Sequence, residues 1–397
     1  MRDFPVVTVT EKAEKSAVGG HPWVYSDEIL SVSGLYKNGD IVDVKSKKGK
    51  YLGSGFINDN SKIRVRIISK NANDKFDDAF FFRRVKYAID YRKTVMKGDD
   101  FKCCRLIFGE ADAFPGLTVD RFENVLVTEV LCLGIEQRKS IIYDALLREL
   151  DGITALYERS DSEIRALEGM EKHVGFYYGD GDGFVTIKEN GILYNVDYIN
   201  GQKTGFFLDQ KYNRAAVGKI AEGKKVLDCF THTGAFALNA AKCGAERVTA
   251  LDISEKAIED AKNNAKINGI NNIEFVCADV FDYLTRAYNE NRRDYDFIIL
   301  DPPAFTKSRA TIKDAMRGYK EINLKAMRLL PRGGYLATCS CSHFMRDSLF
   351  CKMLHSAALD AGVSLRQIEA RQQSPDHPIL WNVPETDYLK FYIFQIV

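Results

Sequence analysis

No stretch of this 397-residue chain stays apolar for the ~18 residues that a membrane-spanning helix requires. Its opening, MRDFPVVTVTEKAEK, lacks the apolar run of a signal peptide. Neither a membrane partner nor secretion is expected. Cys-x-x-Cys pairs are missing as well. The nine cysteines are an odd number, scattered and mostly set in apolar segments. That pattern points to reduced thiols in the cytoplasm, and to neither a disulfide framework nor a metal centre. Pro/Ser-rich and low-complexity tracts are absent, so the whole chain reads as globular. Excess charge of either sign is lacking too, the formal net being +1. A nucleic-acid partner would have to be held by local basic patches and not by a global positive field.

What is present falls into three parts, in keeping with roughly 100–200 residues per domain. Residues 1–72 read as short strands: VVTVT, DIVDVKS, GKYLGSGFIN and KIRVRIIS are rich in β-branched residues and punctuated by Gly or Asn-Asp. A small β-barrel or sandwich is expected. Its basic positions, Lys45, Lys47, Lys48, Lys50, Arg64 and Arg66, form either a binding face or a merely solvated one. Residues 73–189 read as mixed α+β. DDAFFFRRVKYAIDYRKTVM keeps helical apolar spacing, CRLIFGE, GLTVDRFENVLVTEVLCL and ITALYERS read as strands, and EQRKSIIYDALLREL as a helix.

From residue 190 to 397 strands and helices alternate. KKVLDCF, RVTALDIS, IEFVCAD, YDFIILDPP and GYLATCS are successive strands with helical segments between them, and YLKFYIFQIV is the last strand. Ser254 is the expected N-cap of the helix that starts EKAIEDAK. This order predicts a doubly wound α/β sheet that binds ligands at the carboxyl ends of its strands.

Three acids, Asp228, Asp252 and Asp279, stand at or just past successive strand ends. Asp252 follows Asp228 by 24 residues, the spacing at which an acid closing a second strand reaches a ribose diol. The turn after the first strand, DCFTHTGAF, has one glycine, Gly234, where a dinucleotide site would have G-x-G-x-x-G. Several glycines let backbone N–H groups approach a pyrophosphate. S-adenosylmethionine has no phosphate, so the turn argues for that cofactor and against NAD. A purely structural reading makes these acids helix caps. Asp228 has two further roles open to it, ordering the turn or reaching the amino group of the methionine moiety.

The fourth strand ends in ILDPPAF, whose two prolines stiffen a loop at the position of the transferred methyl group. Amino-group methyltransferases carry Asp-Pro-Pro-aromatic there. This chain has Ala304, with Phe305 one place later. That departure draws attention to Cys339 and Cys341 in LATCSCSHF, at the end of the fifth strand. A pyrimidine carbon is a poor nucleophile toward a methyl sulfonium. A cysteine thiolate that adds to C6 makes C5 reactive, and an acid at N3, for which Asp301 is placed, supports the adduct. In an extended segment the two cysteines share a face with Ser340 opposite. Cys341, nearer the strand end, is expected to be the exposed nucleophile and Cys339 to pack.

These residues carry a resemblance. The chain is similar, essentially end to end, to the bacterial 23S rRNA (cytosine-C5)-methyltransferase family of the large ribosomal subunit. RLIFGEADAFPGLTVDRF, YERSDSEIRALEGM, GQKTGFFLDQ, VLDCFTHTGAFALNAA, LDPPAF, RGYKEIN, TCSCS and DHPI carry it. The resemblance implies a class I methyltransferase sheet preceded by a PUA-like RNA-binding β-barrel and a mixed α+β central domain. It implies S-adenosyl-L-methionine as cofactor and large-subunit ribosomal RNA as partner, with a homodimer left open. By the same resemblance Thr204, Phe207 and Asp209 would lie along the cofactor, beside the turn of Asp228, Phe230, Thr233 and Gly234. Asp252 would hold the ribose and Asp279 the adenine, with Ile253 and Val280 also along the cofactor. Asp301 and Pro302 would border the methyl group, and the serine-flanked cysteine of the family falls on Cys341. A nucleophile placed in TCS would select Cys339 instead.

Two other readings stay open: an RNA guanine-N methyltransferase without covalent catalysis, and a non-catalytic RNA-binding assembly factor. His377, in SPDHPIL, is read as a surface turn started by Asp376 or as a substrate contact. His232 is read as a local hydrogen-bond donor. Arg159 and Asp161 are read as cleft residues or as an ion pair between domains.

Overall fold

The computed structural model describes residues 3–306 and 308–397. The chain divides into two compact units. One holds Met1–Thr186, Val196–Leu208 and Pro375–Thr386; the other holds Ile187–Asn195, Asp209–Ser374 and Asp387–Val397.

In the first unit, β1 (Val6–Val9), β2 (Trp23–Val24), β3 (Ile29–Ser33), β4 (Ile41–Ser46), β5 (Tyr51–Ile57) and β6 (Val65–Ser69) form one sheet in the order β2-β6-β5-β4-β1-β3. Alternation puts Val7 and Val9 of β1 wholly in its core. Glu11–Val18 is a helix that the strand reading missed, capped by the Thr10 hydroxyl accepting from Ala13 N. It lies between β-rich runs and buries only two small residues, Ala13 and Ala17, so it leaves little apolar signal. The basic positions split. Lys47, Lys48 and Lys50 are exposed at the β4–β5 turn, whereas Arg66 is bound to Glu110 and Glu168 and Arg64 to Asp59.

A second sheet of the same unit runs β11-β10-β9-β8-β7, from β7 (Cys103–Phe108), β8 (Leu117–Phe122), β9 (Val125–Val130), β10 (Ala155–Ser160) and β11 (His173–Tyr178). The helices Asp78–Val95 and Lys139–Glu149 pack on each other beside it. Asp376 and His377 are not a surface turn: both are buried. Asp376 accepts from Arg105 N at 2.8 Å and meets the His377 ring at 3.0 Å. Arg159 makes a hydrogen bond to the Gly201 carbonyl.

A hairpin, β12 (Phe184–Glu189) and β13 (Ile192–Asp197), follows. Its inner part belongs to the second unit, where the Arg214 guanidinium grips Glu189 through two bonds of 2.6 and 2.9 Å. The main sheet of this unit is built from β14 (Lys225–Cys229), β15 (Arg247–Asp252), β16 (Ile273–Cys277), β17 (Phe297–Leu300), β18 (Tyr335–Ser340), β19 (Leu365–Arg371) and β20 (Lys390–Ile396). Their order is β16-β15-β14-β17-β18-β20-β19, parallel through β18, with β20 antiparallel to both neighbours. Reversal of order between β14 and β17 makes the switch point at which doubly wound sheets bind ligands. Helices cover both faces, so central strands read as continuous apolar runs. Phe297–Leu300 is buried at every residue. The Ser254 cap forms as expected, its side chain accepting from Ala257 N.

Candidate active site

Asp228 is the penultimate residue of β14 and fully buried. A strand covered on both faces has no ordinary use for a carboxylate. Its Oδ2 accepts from the Thr231 hydroxyl at 2.6 Å and from Ala237 N at 2.9 Å. Oδ1 has no hydrogen-bond partner among the described residues. Burial pushes this carboxyl up to about 7; the bonds from Thr231 and Ala237 oppose that push, and the charges of Asp301 and Asp252 add to it.

The turn that follows is strained. Phe230 and His232 hold φ values of 66° and 49°, and Gly234 holds 83°. Positive φ costs a non-glycine residue of order 1–3 kcal/mol and persists where its surroundings enforce it. At Gly234 a Cβ would also meet the Ala261 Cβ at 3.0 Å. The helix Glu255–Ile267 therefore packs against the bare backbone of the turn. The Thr233 hydroxyl is buried without a partner among the described residues.

Asp252 closes β15, half-buried. One oxygen accepts from His232 N and the other from Ser254 N, each at 2.9 Å, leaving further lone pairs on both. His232 thus serves the turn through its backbone donor, and burial lowers its ring pKa. Ile253 is 68% exposed, an apolar side chain just past a strand end. Asp279 caps the helix Val280–Asn289, one oxygen accepting from Asp282 N at 3.1 Å. Val280 sits in the core below.

Past β17, Asp301 is joined to β18. The Cys339 thiol donates to Asp301 Oδ1 at 2.9 Å, and Gln210 Nε2 donates to the same oxygen at 3.1 Å. Asn213 in turn donates to Gln210 Oε1 at 2.6 Å. Burial raises Asp301 to about 6. Burial, then the Asp301 charge, raise Cys339 well above an ordinary thiol, so it stays protonated. Cys341 is half-buried, its sulfur 3.9 Å from the Pro302 carbonyl. Both cysteines join one side of the sheet, while Ser340 turns the other way to the Tyr319 hydroxyl. Phe305 packs on Tyr319, with ring centroids 4.6 Å apart.

Asp209 is buried and accepts from the Tyr388 hydroxyl at 2.6 Å. Thr204 and Phe207 belong to the first unit, where the Thr204 hydroxyl donates to Asp120 at 2.6 Å and Lys203 lies over the Phe207 ring. The second unit thus gathers Asp209, Asp228, Phe230, Thr233, Gly234, Asp252, Ile253, Asp279, Asp301 and Cys341 around the ends of its parallel strands. Sequence reasoning missed Gln210, Asn213 and Lys390. Gln210 closes the GQKTGFFLDQ motif, whereas Asn213 and Lys390 had no local signal, each gaining a partner from a segment far along the chain.

An S-adenosylmethionine-dependent methyltransferase family model matches residues 105–394, and a PUA-like domain matches residues 7–70. Ribosomal RNA large subunit methyltransferase I of Aeromonas hydrophila is 43% identical over 381 residues, covering 95% of this chain and 96% of that one. The protein of the same name from Klebsiella pneumoniae is 38% identical over 397 residues, covering 99% of each. A solved Streptococcus mutans structure described as a SAM-dependent methyltransferase aligns with TM-score 0.84 at 24% identity, covering 98% of this chain and 99% of that one, a likeness of fold. The residues at hand fit that cofactor. An unsatisfied buried carboxylate oxygen suits an ammonium, a half-buried strand-end acid suits a diol, and an exposed isoleucine suits a purine face.

Proposed function

Because this chain belongs to the S-adenosylmethionine-dependent methyltransferase family, we propose that it forms 5-methylcytosine in large-subunit ribosomal RNA, with Cys341 as covalent nucleophile. The observation that carries this reading is the pair of thiols beside the Asp-Pro-Pro loop. One is locked as a donor to Asp301, and the other is half-buried next to the Pro302 carbonyl. The shared name of the relatives and the PUA-like domain favour ribosomal RNA as substrate and the cytoplasm as location.

S-adenosylmethionine supplies an electrophilic methyl group on a positively charged sulfur. Asp228 Oδ1 would hold its ammonium, with Thr233 beside it. Asp252 would hold the ribose hydroxyls, Ile253 and Asp279 the adenine, and Phe230, Gly234 and Val280 would shape the wall. Asp209, Thr204 and Phe207 stay cofactor-side residues on the strength of their motif. The Cys341 thiolate adds to C6 of the base: the S–C6 bond forms and the C5–C6 π pair moves to C5, the carbon to be methylated. Asp301 faces N3. With a value of about 6, it is protonated in about one molecule in ten at pH 7, enough to donate to N3 as charge develops there. After methylation the C5 proton passes to solvent water, its C–H pair re-forms the C5–C6 double bond, and the S–C6 bond breaks to release the thiolate. Residues 1–72 and 73–189 are assigned to gripping the RNA and 190–397 to chemistry. The base would be extruded from its stack to reach the thiol.

Cys341→Ala should abolish methylation of ribosomal RNA while cofactor binding by calorimetry persists. Cys339→Ala should retain a measurable rate. A fully active Cys341→Ala with an inactive Cys339→Ala would move the nucleophile to Cys339, and an active double variant would end covalent catalysis. Mass spectrometry of the nucleosides should show 5-methylcytidine. A methylated guanosine in its place would overturn the assignment of base.

A further inference from the structure

We propose that Lys390 is a positioning residue that holds the Cys341 side chain as a thiolate. The inference rests on Cys341 being the nucleophile, and it is tested separately from that role. Lys390 is 5% exposed, a rare state for a lysine. It opens β20, where its backbone is registered against Ser340 of β18. From there its ammonium reaches past the end of β18, donating to the Ser342 carbonyl at 2.7 Å and to the Tyr388 carbonyl at 2.8 Å. Cys341 lies between the residue Lys390 pairs with and the residue its ammonium binds. Two of three ammonium hydrogens are thereby engaged with carbonyls, and the cation is close enough to interact electrostatically with the Cys341 sulfur.

The other titratable neighbours are Asp387, Asp347 and Cys339 on the lysine, and Tyr319 on the cysteine. Cys339 is kept protonated, and burial pushes Tyr319 up to about 12, so neither contributes a competing charge near neutrality. Burial lowers Lys390 to about 8, opposed chiefly by Asp387 and then by Cys341. At pH 7 the lysine is therefore still mostly charged. Cys341 gives its proton to solvent, Lys390 keeps its own, and the resulting ion pair presents sulfur as the attacking lone pair. Cys339 also feels the lysine, but it is fully buried and donates to Asp301, which keeps it protonated and separates the roles of two cysteines one residue apart.

The test is the rate of Cys341 alkylation by iodoacetamide against pH, read by peptide mass mapping on the full chain without RNA. In the wild-type protein the midpoint should fall below the ~8.5 of a free cysteine. A midpoint at or above that value overturns the proposal without any variant. Lys390→Met should slow alkylation at pH 7 by about tenfold and move the midpoint up, one pKa unit being a tenfold change in thiolate. Cofactor affinity should be preserved in the same preparation, and Lys390→Arg should recover part of the rate. An unchanged pH profile in a folded Lys390→Met also overturns it. An active Cys341→Ala enzyme would instead sink the nucleophile and leave the alkylation result standing.

Discussion

Asp228 is the residue at which fold and function pull in opposite directions. Its carboxyl titrates near 7 in the folded chain against about 3.8 ordinarily. A raised carboxyl pKa means that the folded state holds its proton more tightly than the unfolded one. Stability is therefore unaffected below about pH 4, falls as pH rises toward 7, and stays reduced above, by roughly 4 kcal/mol at most. Asp228→Asn should keep both bonds at the Oδ2 position, because an amide oxygen accepts from Thr231 and Ala237 as a carboxylate does. In the cofactor-free protein this variant should melt higher than wild type at pH 8, with the gap closing below pH 5. Its cofactor affinity should fall tenfold or more, about the worth of a hydrogen bond to a charged group. A variant with lower Tm at pH 8 and unchanged affinity would refute both claims.

At the scale of elements, a buried ion pair joins the hairpin β12–β13 to the helix Lys211–Ala221, beside hydrogen bonds from Asn190, Leu193 and Asn195. Glu189 and Arg214 are both buried, and the guanidinium meets the carboxylate through two nitrogens. Removing one partner leaves the other charged and dry. Glu189→Ala should cost about 3–5 kcal/mol in urea denaturation, whereas a Glu189→Met, Arg214→Met pair should cost much less. Equal losses would mean that the pair stabilises by charge. This tie had no legible signal, because Glu189 and Arg214 look like any exposed charges on their own segments. The strand and helix alternation after residue 224 was legible, since short apolar strand runs alternate with helical spacing and two of the helices begin at side-chain caps, Ser254 and Asp279. The helix Glu11–Val18 was not, because it buries only two alanines.

Across the whole molecule, charge is close to balanced, so contact with RNA has to be local. Of the basic positions around the first sheet, Arg64 pairs with Asp59 and Arg66 with Glu110 and Glu168, and Lys47, Lys48 and Lys50 remain exposed on one turn. Changing these three lysines to glutamate should weaken binding of a ribosomal RNA fragment. The slope of log affinity against log salt should become shallower by about 2, at ~0.7 for each single-strand phosphate no longer neutralised. Cofactor affinity should not move. An unaltered salt slope would place the RNA elsewhere on the chain.

By itself the sequence determined the doubly wound sheet, the placing of Asp228, Asp252 and Asp279 at or just past its strand ends and the ordering of two cysteines by exposure. Those follow from periodicity, caps and residue type, which act within a few residues. Only tertiary structure decided that Asp301 is shared by Cys339 and Gln210, that Asp376 and His377 are interior, and that Arg66 is an internal ion-pair member. It alone brought Lys390, forty-nine residues along, to the carbonyl that follows Cys341. Burial is the physical reason: the state of a charged group depends on every segment that excludes water from it, and no local pattern records which segments those are.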